Sequence, residues 1–276
     1  MYKLLNADFA RLKRDRGFWL IFLGTLALVI ASVVPAPWNA MSYESEKTYV
    51  DDVLFQLIPY LPFLCTLFSG LFLGAEFEEN ALRNKLIVGH TRAEAYFSAY
   101  LTTAVASLAL LAALLLGAGV SGWICYRDFR MAPGQLAHLS LCCVLVTLVF
   151  SAISVAFVMN IPRKSTIFLT LFFLAMLYTT SYFGARLNEA EMTYDGVTIT
   201  LEGGVKLGDL IPNPAYVSGP TRKIFELLYD LLPTGQTIQL NNGEFDRCLR
   251  WVPLSAIVLA VSTLAGYLPF RKRDLR

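Results

Sequence analysis

The chain has 276 residues, of which 56% are hydrophobic and only 16% charged, with a formal net charge of +2. With a mean hydropathy of +0.54 it is too apolar for an ordinary soluble domain, and so small a net charge gives no support to a nucleic-acid partner. The balance is that of a membrane protein.

Residues 1–16 form the first element. Tyr2, Leu5, Phe9 and Leu12 fall on one face at helical spacing while Lys3, Arg11, Lys13 and Arg14 lie elsewhere, which predicts an amphipathic helix resting in the headgroup region. A bilayer core about 30 Å thick takes roughly 20 apolar residues per helix. Six stretches without a single Asp, Glu, Lys or Arg approach or meet that length: Phe18 to Val34, Val53 to Ala75, Tyr96 to Val120, Leu139 to Met159, Thr166 to Phe183 and Trp251 to Phe270. They lack the alternation of barrel strands, so six transmembrane helices are expected. The first is read as a span and not a cleaved signal, because no small-residue cleavage site follows it cleanly. Pro59 and Pro62 in span two and Pro253 in span six mark places to bend.

Between spans two and three lies GAEFEENALRNKLIVGHTR, residues 74–92, a charged island between apolar stretches. Glu79 and Arg83 sit four apart in the favourable order, Leu82 and Leu86 share the same spacing, and Gly89 is a natural helix stop. Thr91 and Glu94 then form a T-x-x-E capping box ahead of span three. The reading is a helix, a break and a second helix entering the membrane. The connection between spans four and five, NIPRKS, carries Arg163 and Lys164, which could meet another protein or anionic lipid.

Residues 184–250 are too long for a structureless connection and predict a small α+β insertion. Glu191 to Glu202 reads as a β-hairpin turning at Asp195 and Gly196. GPTRKIFELLYDLLP follows as a helix started by Pro220, with Ile224, Phe225, Leu227, Leu228, Leu231 and Leu232 on one broad side. Span six and the basic tail from 251 to 276 close the chain.

An even number of spans places both termini on one side. That side holds the N-terminal segment, the 76–94 loop, Arg163, Lys164 and the tail: fourteen of the 23 basic and seven of the 21 acidic residues, a net +7 against −5 on the opposite face. The basic side is therefore expected to be cytoplasmic, the membrane the plasma membrane, and the insertion extracellular.

Cys65, Cys142 and Cys143 lie inside spans and read as small packing residues. Cys125 and Cys248 fall outside them and could pair if their Cα atoms approach within about 6 Å. With two histidines, His90 and His138, and no acid pair within a span, neither an intramembrane enzyme nor a zinc site is expected. Ion-coupled transporters and channels usually place ionisable groups at membrane depth. All six spans lack them.

The order of these parts resembles the type-2 ABC transporter permease family, the membrane subunits of ATP-binding-cassette exporters. The resemblance runs from LLNADFARLKRDRGFWL through a short first span to G-x-E-F-E-x-x-x-L-R-N-K-L-I-V-G-H-T-R, then six spans in all, a long loop before the last, and FRKRDLR. It covers nearly the whole chain, and residues 74–95 are its most specific part. It implies a cytoplasmic coupling helix at about 76–90 that docks on an ATPase subunit, with Glu76, Glu79, Arg83, Lys85, His90, Thr91 and Arg92 at or near the contact. Because no P-loop occurs in GVKLGDL or GPTRK, ATP and Mg²⁺ would sit on a separate ATPase subunit. The resemblance further implies a homodimer with two such subunits, exporting an amphipathic or hydrophobic cargo such as a peptide, antimicrobial, drug or lipid-like compound. An ion-coupled transporter or channel, and an ATPase-linked sensor or scaffold that moves nothing, stay open as alternatives.

Overall fold

The computed structural model describes residues 1–34, 48–161, 165–195, 197–199 and 205–273. Helix dominates, since a helix satisfies its own backbone amides and carbonyls where lipid offers no partners. α1 (Tyr2–Arg14) ends at Asp15, whose side chain accepts from the Phe18 amide at 2.6 Å and starts α2 (Arg16–Val33), the first span. Span two is broken as its prolines predict, into α3 (Val50–Leu54), a 3-10 turn over Ile58–Tyr60 and α4 (Leu61–Glu78). Pro59 and Pro62 each occupy the first turn of the element that follows, where a missing amide costs nothing. Then come α5 (Ala81–Ile87), α6 (Arg92–Cys125), α7 (Pro133–Asn160), α8 (Ser165–Asn188), β1 (Met192–Tyr194), β2 (Val197–Ile199), β3 (Val205–Leu207) and β4 (Leu210–Pro212). α9 (Gly219–Leu231), α10 (Pro233–Asn241) and α11 (Phe245–Lys272) finish the chain. Among the described residues α2, α3 with α4, α6, α7, α8 and α11 are long and apolar enough to cross a membrane, the six spans expected.

α7 is the axis of the bundle. Of its most apolar stretch 67% is buried, against 22% for α2 and α8 and 17% for α11, so those three form the rim. α7 packs on α4, α6, α8 and α11. Its crossing with α11 depends on Gly266, where an added Cβ would lie 2.4 Å from the Ala156 Cβ. Small residues of this kind let helices approach in lipid, where apolar burial alone drives no association. Four buried hydroxyls on the inner faces are satisfied within their own helices: Thr66, Ser69, Thr147 and Ser151 each donate to the carbonyl four residues back, at 2.6 to 2.8 Å.

α1 differs from its expected orientation. Leu4, Asp8 and Leu12 are buried against the bundle and Tyr2 is exposed, so the inward face is turned from the Tyr2, Leu5, Phe9, Leu12 stripe. The cause is Asp8, drawn inward by two partners described below; α1 packs along α6.

The insertion departs from expectation twice. β1 does not pair with β2 across Asp195 and Gly196. Met192 instead faces Pro212 on β4 and Val197 faces Leu207 on β3, antiparallel pairs that share one register. The Asp195 amide donates to the Asp209 carbonyl at 2.8 Å, carrying the ladder past Tyr194, so the two strand pairs form one longer hairpin. Gly196 and the segment at 200–204 that joins β2 to β3 lie outside the described residues. α9 forms where predicted, with Pro220 in its first turn, but Ile224 and Leu227 are exposed and Phe225 packs on Phe183 at 4.7 Å between ring centres.

α10 is the second departure. PTGQTIQLN carries no apolar period, yet seven of its residues are buried among α7, α8, α11 and the turn over Ile58–Tyr60. Neutral hydrogen bonds replace the missing apolar face: Thr180 donates to Thr234 at 3.1 Å, Ser255 donates to the Gln236 carbonyl oxygen at 2.8 Å, and the Gln236 amide donates to the Asp230 backbone at 2.7 Å. Part of the 184–250 insertion therefore enters the bundle from the end opposite the chain termini.

Cys125 and Cys248 are both free thiols in the structure, so the bridge left open from sequence is not formed. Cys248 faces the core with Trp251 and Cys142, while Cys125 ends α6 half-buried.

Candidate functional site

The 74–92 island folds as a helix, a break and a helix. α4 runs on to Glu78, and Asn80, at φ 54°, turns the chain into α5. The far end closes on Gly89 at φ 101°: the Gly89 amide donates to the Leu86 carbonyl at 3.1 Å and the His90 amide to the Lys85 carbonyl at 3.2 Å. That paired closure terminates a helix only when the residue between adopts a left-handed conformation, which glycine does without steric cost. α6 then starts with the predicted capping box. The Glu94 amide donates to the Thr91 hydroxyl at 3.2 Å, and the Thr91 amide donates to the Glu94 carboxylate at 3.1 Å.

Four charged side chains anchor this finger to the bundle. Glu76 is 2% exposed, and its Oε1 accepts from Arg11 Nη1 and from Lys85 Nζ, each at 2.9 Å. Lys85 Nζ also donates to Asp8 Oδ1 at 2.8 Å, and Ser98 Oγ donates to Asp8 Oδ2 at 2.6 Å. Arg11 further donates to the Phe72 carbonyl at 3.0 Å and lies over the Phe72 ring. Two acids and two bases thus close a neutral quartet that joins α1, α4, α5 and, through Ser98, α6. Buried charge persists only in such paired, hydrogen-bonded form. Beneath it, Leu82 is buried with Leu12, Phe72 and Leu73.

Two arginines tie the same end together across the chain. Arg92 Nη1 donates to the Phe270 carbonyl at 3.2 Å and to the Arg273 carbonyl, so it caps the last turn of α11. Arg273 Nη1 donates to the carbonyls of Met159 and Asn160 at 2.9 and 2.8 Å and caps α7. A cation at a helix C-terminus meets unpaired carbonyls and the negative end of the helix dipole.

The seven finger residues expected at a partner contact therefore divide. Glu76 and Lys85 are used up inside the quartet, Arg92 is turned onto α11, and Thr91 caps α6. His90 lies half-buried with Nδ1 at 3.3 Å from a Glu94 oxygen. Glu79 and Arg83 alone remain exposed with their side chains uncommitted among the described residues. They do not form the expected helical pair, because the break at Asn80 separates them. Arg163 and Lys164 lie outside the described residues.

Sequence reasoning missed the apolar tip. Ile87 and Val88 are 71% and 79% exposed at the end of α5, beside exposed Arg83 and Asn84. The signal was present: once Leu82 and Leu86 are assigned to the inner face, the next two residues before Gly89 have no face left to bury them. Glu78 and Glu79 add two exposed acids at the other end of α5.

The finger spends most of its charged side chains on one another and on helix ends. No cluster of three metal-ligating side chains occurs among the described residues. What it offers is a short, firmly anchored protrusion with an apolar end and mixed charge around it. Neither a curated protein nor a solved structure matches the chain. The family described as ABC-2 family transporter protein matches residues 4–182, from α1 into α8 and including the whole finger. With that match covering well over half of a multi-pass helical membrane protein, the chain belongs to the ABC-2 transporter family as a membrane component.

Proposed function

We propose that this chain is the permease subunit of an ATP-driven exporter and that α5 docks into a separate ATPase subunit through Ile87, Val88 and Arg83, with Glu79 at the edge of the contact. The family implies an ATPase partner in an ABC system. The observation that carries the docking assignment is the pairing of an exposed apolar tip with a buried anchor. Two large aliphatic side chains left in water at the end of a pinned helix fit a groove on another protein. The Glu76–Arg11–Lys85–Asp8 quartet supplies the stiffness, because a lever moves its load only if its root does not yield. The arginine caps carry a push from α6 to α11 and from there to α7.

On this reading the basic end faces the cytoplasm, two copies of the chain work with two ATPase subunits holding ATP and Mg²⁺, and ATP-driven closure alternates the packing of the spans. The cargo is amphipathic or hydrophobic, a peptide, antimicrobial, drug or lipid-like compound, since the spans offer hydroxyls and aromatic rings in place of charges. An antimicrobial peptide, exported for release or for self-protection, is the preferred cargo. Arg163 and Lys164 form a second contact on the same face.

The test is Ile87→Ala with Val88→Ala in the tagged chain. The double variant should retain its thermal midpoint, because neither side chain is buried, yet lose at least tenfold in co-purification of the P-loop ATPase captured by the wild type. Undiminished capture with undiminished transport removes α5 as the docking element.

A further inference from the structure

A groove of about 640 Å³ opens on the rim of the bundle between α7, α8 and α11. Phe157, Phe172, Met176, Val261 and Ala265 make its walls, and among the described residues Asn160 and Ser262 are the sole polar side chains lining it. The Asn160 amide is committed to the Ala156 and Gly266 carbonyls, at 2.8 Å each, so the groove presents an almost wholly apolar interior. Its size falls within the roughly 300–1,000 Å³ typical of small-molecule sites.

Its ends differ. One end lies at Asn160, Ile161 and Pro269, where the spans finish at the basic face. The other is stopped by Leu231, Leu232 and Pro233, the bend between α9 and α10 held at the level of Thr180 and Ser255. Along α11 the lining runs from Ile257 to Pro269, which at 1.5 Å per residue is about 18 Å. Half of a hydrocarbon core roughly 30 Å thick is about 15 Å. The groove is about one leaflet deep and is stopped inside the bundle by the bend between α9 and α10, which suits a resident hydrocarbon chain better than a route through the membrane.

The rim decides which lipid. Arg271 and Lys272, on the last turn of α11 just after the lining residue Pro269, are exposed, whereas Arg273 is occupied with the α7 carbonyls. Two exposed cations over an apolar slot complement a negatively charged headgroup with an acyl chain below it.

We propose that this groove holds one acyl chain of an anionic phospholipid drawn from the leaflet at the basic end, with the headgroup held by Arg271 and Lys272. The chain fills the space between α8 and α11 and supports the bend at Leu232 from below. The site is independent of finger docking, and none of its tests requires an ATPase.

The purified wild-type chain, exchanged in vesicles of equal phosphatidylglycerol and phosphatidylcholine and then taken into detergent, should carry one tightly held phospholipid by native mass spectrometry, enriched in phosphatidylglycerol. Arg271→Gln with Lys272→Gln, both exposed and harmless to folding, should lower that enrichment by about tenfold. Ala265→Phe, which fills the slot, should empty it at an unchanged thermal midpoint; if that variant does not fold, the double glutamine variant decides alone. A wild-type chain that retains no lipid or retains phosphatidylcholine equally well overturns the proposal. So does an enrichment untouched by the glutamine pair. Disulfide formation between two copies of Val261→Cys would assign the groove to a seam between copies and overturn it as well.

Discussion

The two ends of this bundle bury polar groups by opposite means. At the end holding the finger, charges are taken out of water in a closed quartet, and two arginines cap the ends of distant helices. At the other end, α10 is held among the spans by hydroxyls and amides of no net charge, Thr180 to Thr234 and Ser255 to Gln236. The difference is mechanical. A paired charge stripped of its partner is left at high cost, so the first end keeps one geometry. A neutral hydrogen bond between helices in lipid contributes less than 1 kcal/mol on average, because the groups find other partners when helices shift. The same molecule thus has a handle that does not give and a far end whose contacts exchange at low cost.

Three substitutions test that division, in descending order of effect. Lys85→Met leaves two buried acids short of a cation and should destabilise the chain by about 3–5 kcal/mol, read in thermal denaturation in detergent or as failure to accumulate. Lys85→Arg, which keeps the charge, should recover much of the loss. Ser255→Ala removes one neutral bond to Gln236 and should cost about 0.6 kcal/mol, at most roughly 1.7. If the two losses prove equal, the contrast between the ends fails.

Asp230 sharpens it as the odd charge near the neutral end. Burial holds its carboxyl above the ordinary range, against a hydrogen bond from Gln239 that pulls the other way. A raised native pKa means the folded state binds the proton more tightly, so its stabilising share is complete below the unfolded value of about 3.9 and is lost as pH rises through the folded value. Asp230→Asn should therefore raise the melting midpoint at neutral pH by about a degree or two and converge with the wild type in acid.

The spans, the bends at Pro59 and Pro62, the stop at Gly89 and the Thr91–Glu94 cap were all legible, because each is written in neighbouring residues. Partner choice was not. Asp8 and Lys85 are 77 positions apart, and nothing local in α1 says that its acid will be buried more deeply than Phe9. The same blindness affected Arg92, whose carbonyl partner lies 178 residues on. α10 escaped for another reason: PTGQTIQLN is buried by hydrogen bonds rather than by apolar side chains, so it has no periodic signature. In the insertion the Asp195–Gly196 pair favours a tight turn, but a single register running on to β3 and β4 supplies more cross-strand pairs than a turn there would close.

α5 has seven residues and stands between two left-handed positions, Asn80 at φ 54° and Gly89 at φ 101°. Its bearing relative to the bundle is set by those two turns together with Lys85 and buried Leu82 between them. Altering either swivel would unseat Lys85 from its carboxylates while leaving all six membrane crossings as they are, so the aim of the strut and the integrity of its root are inherited together.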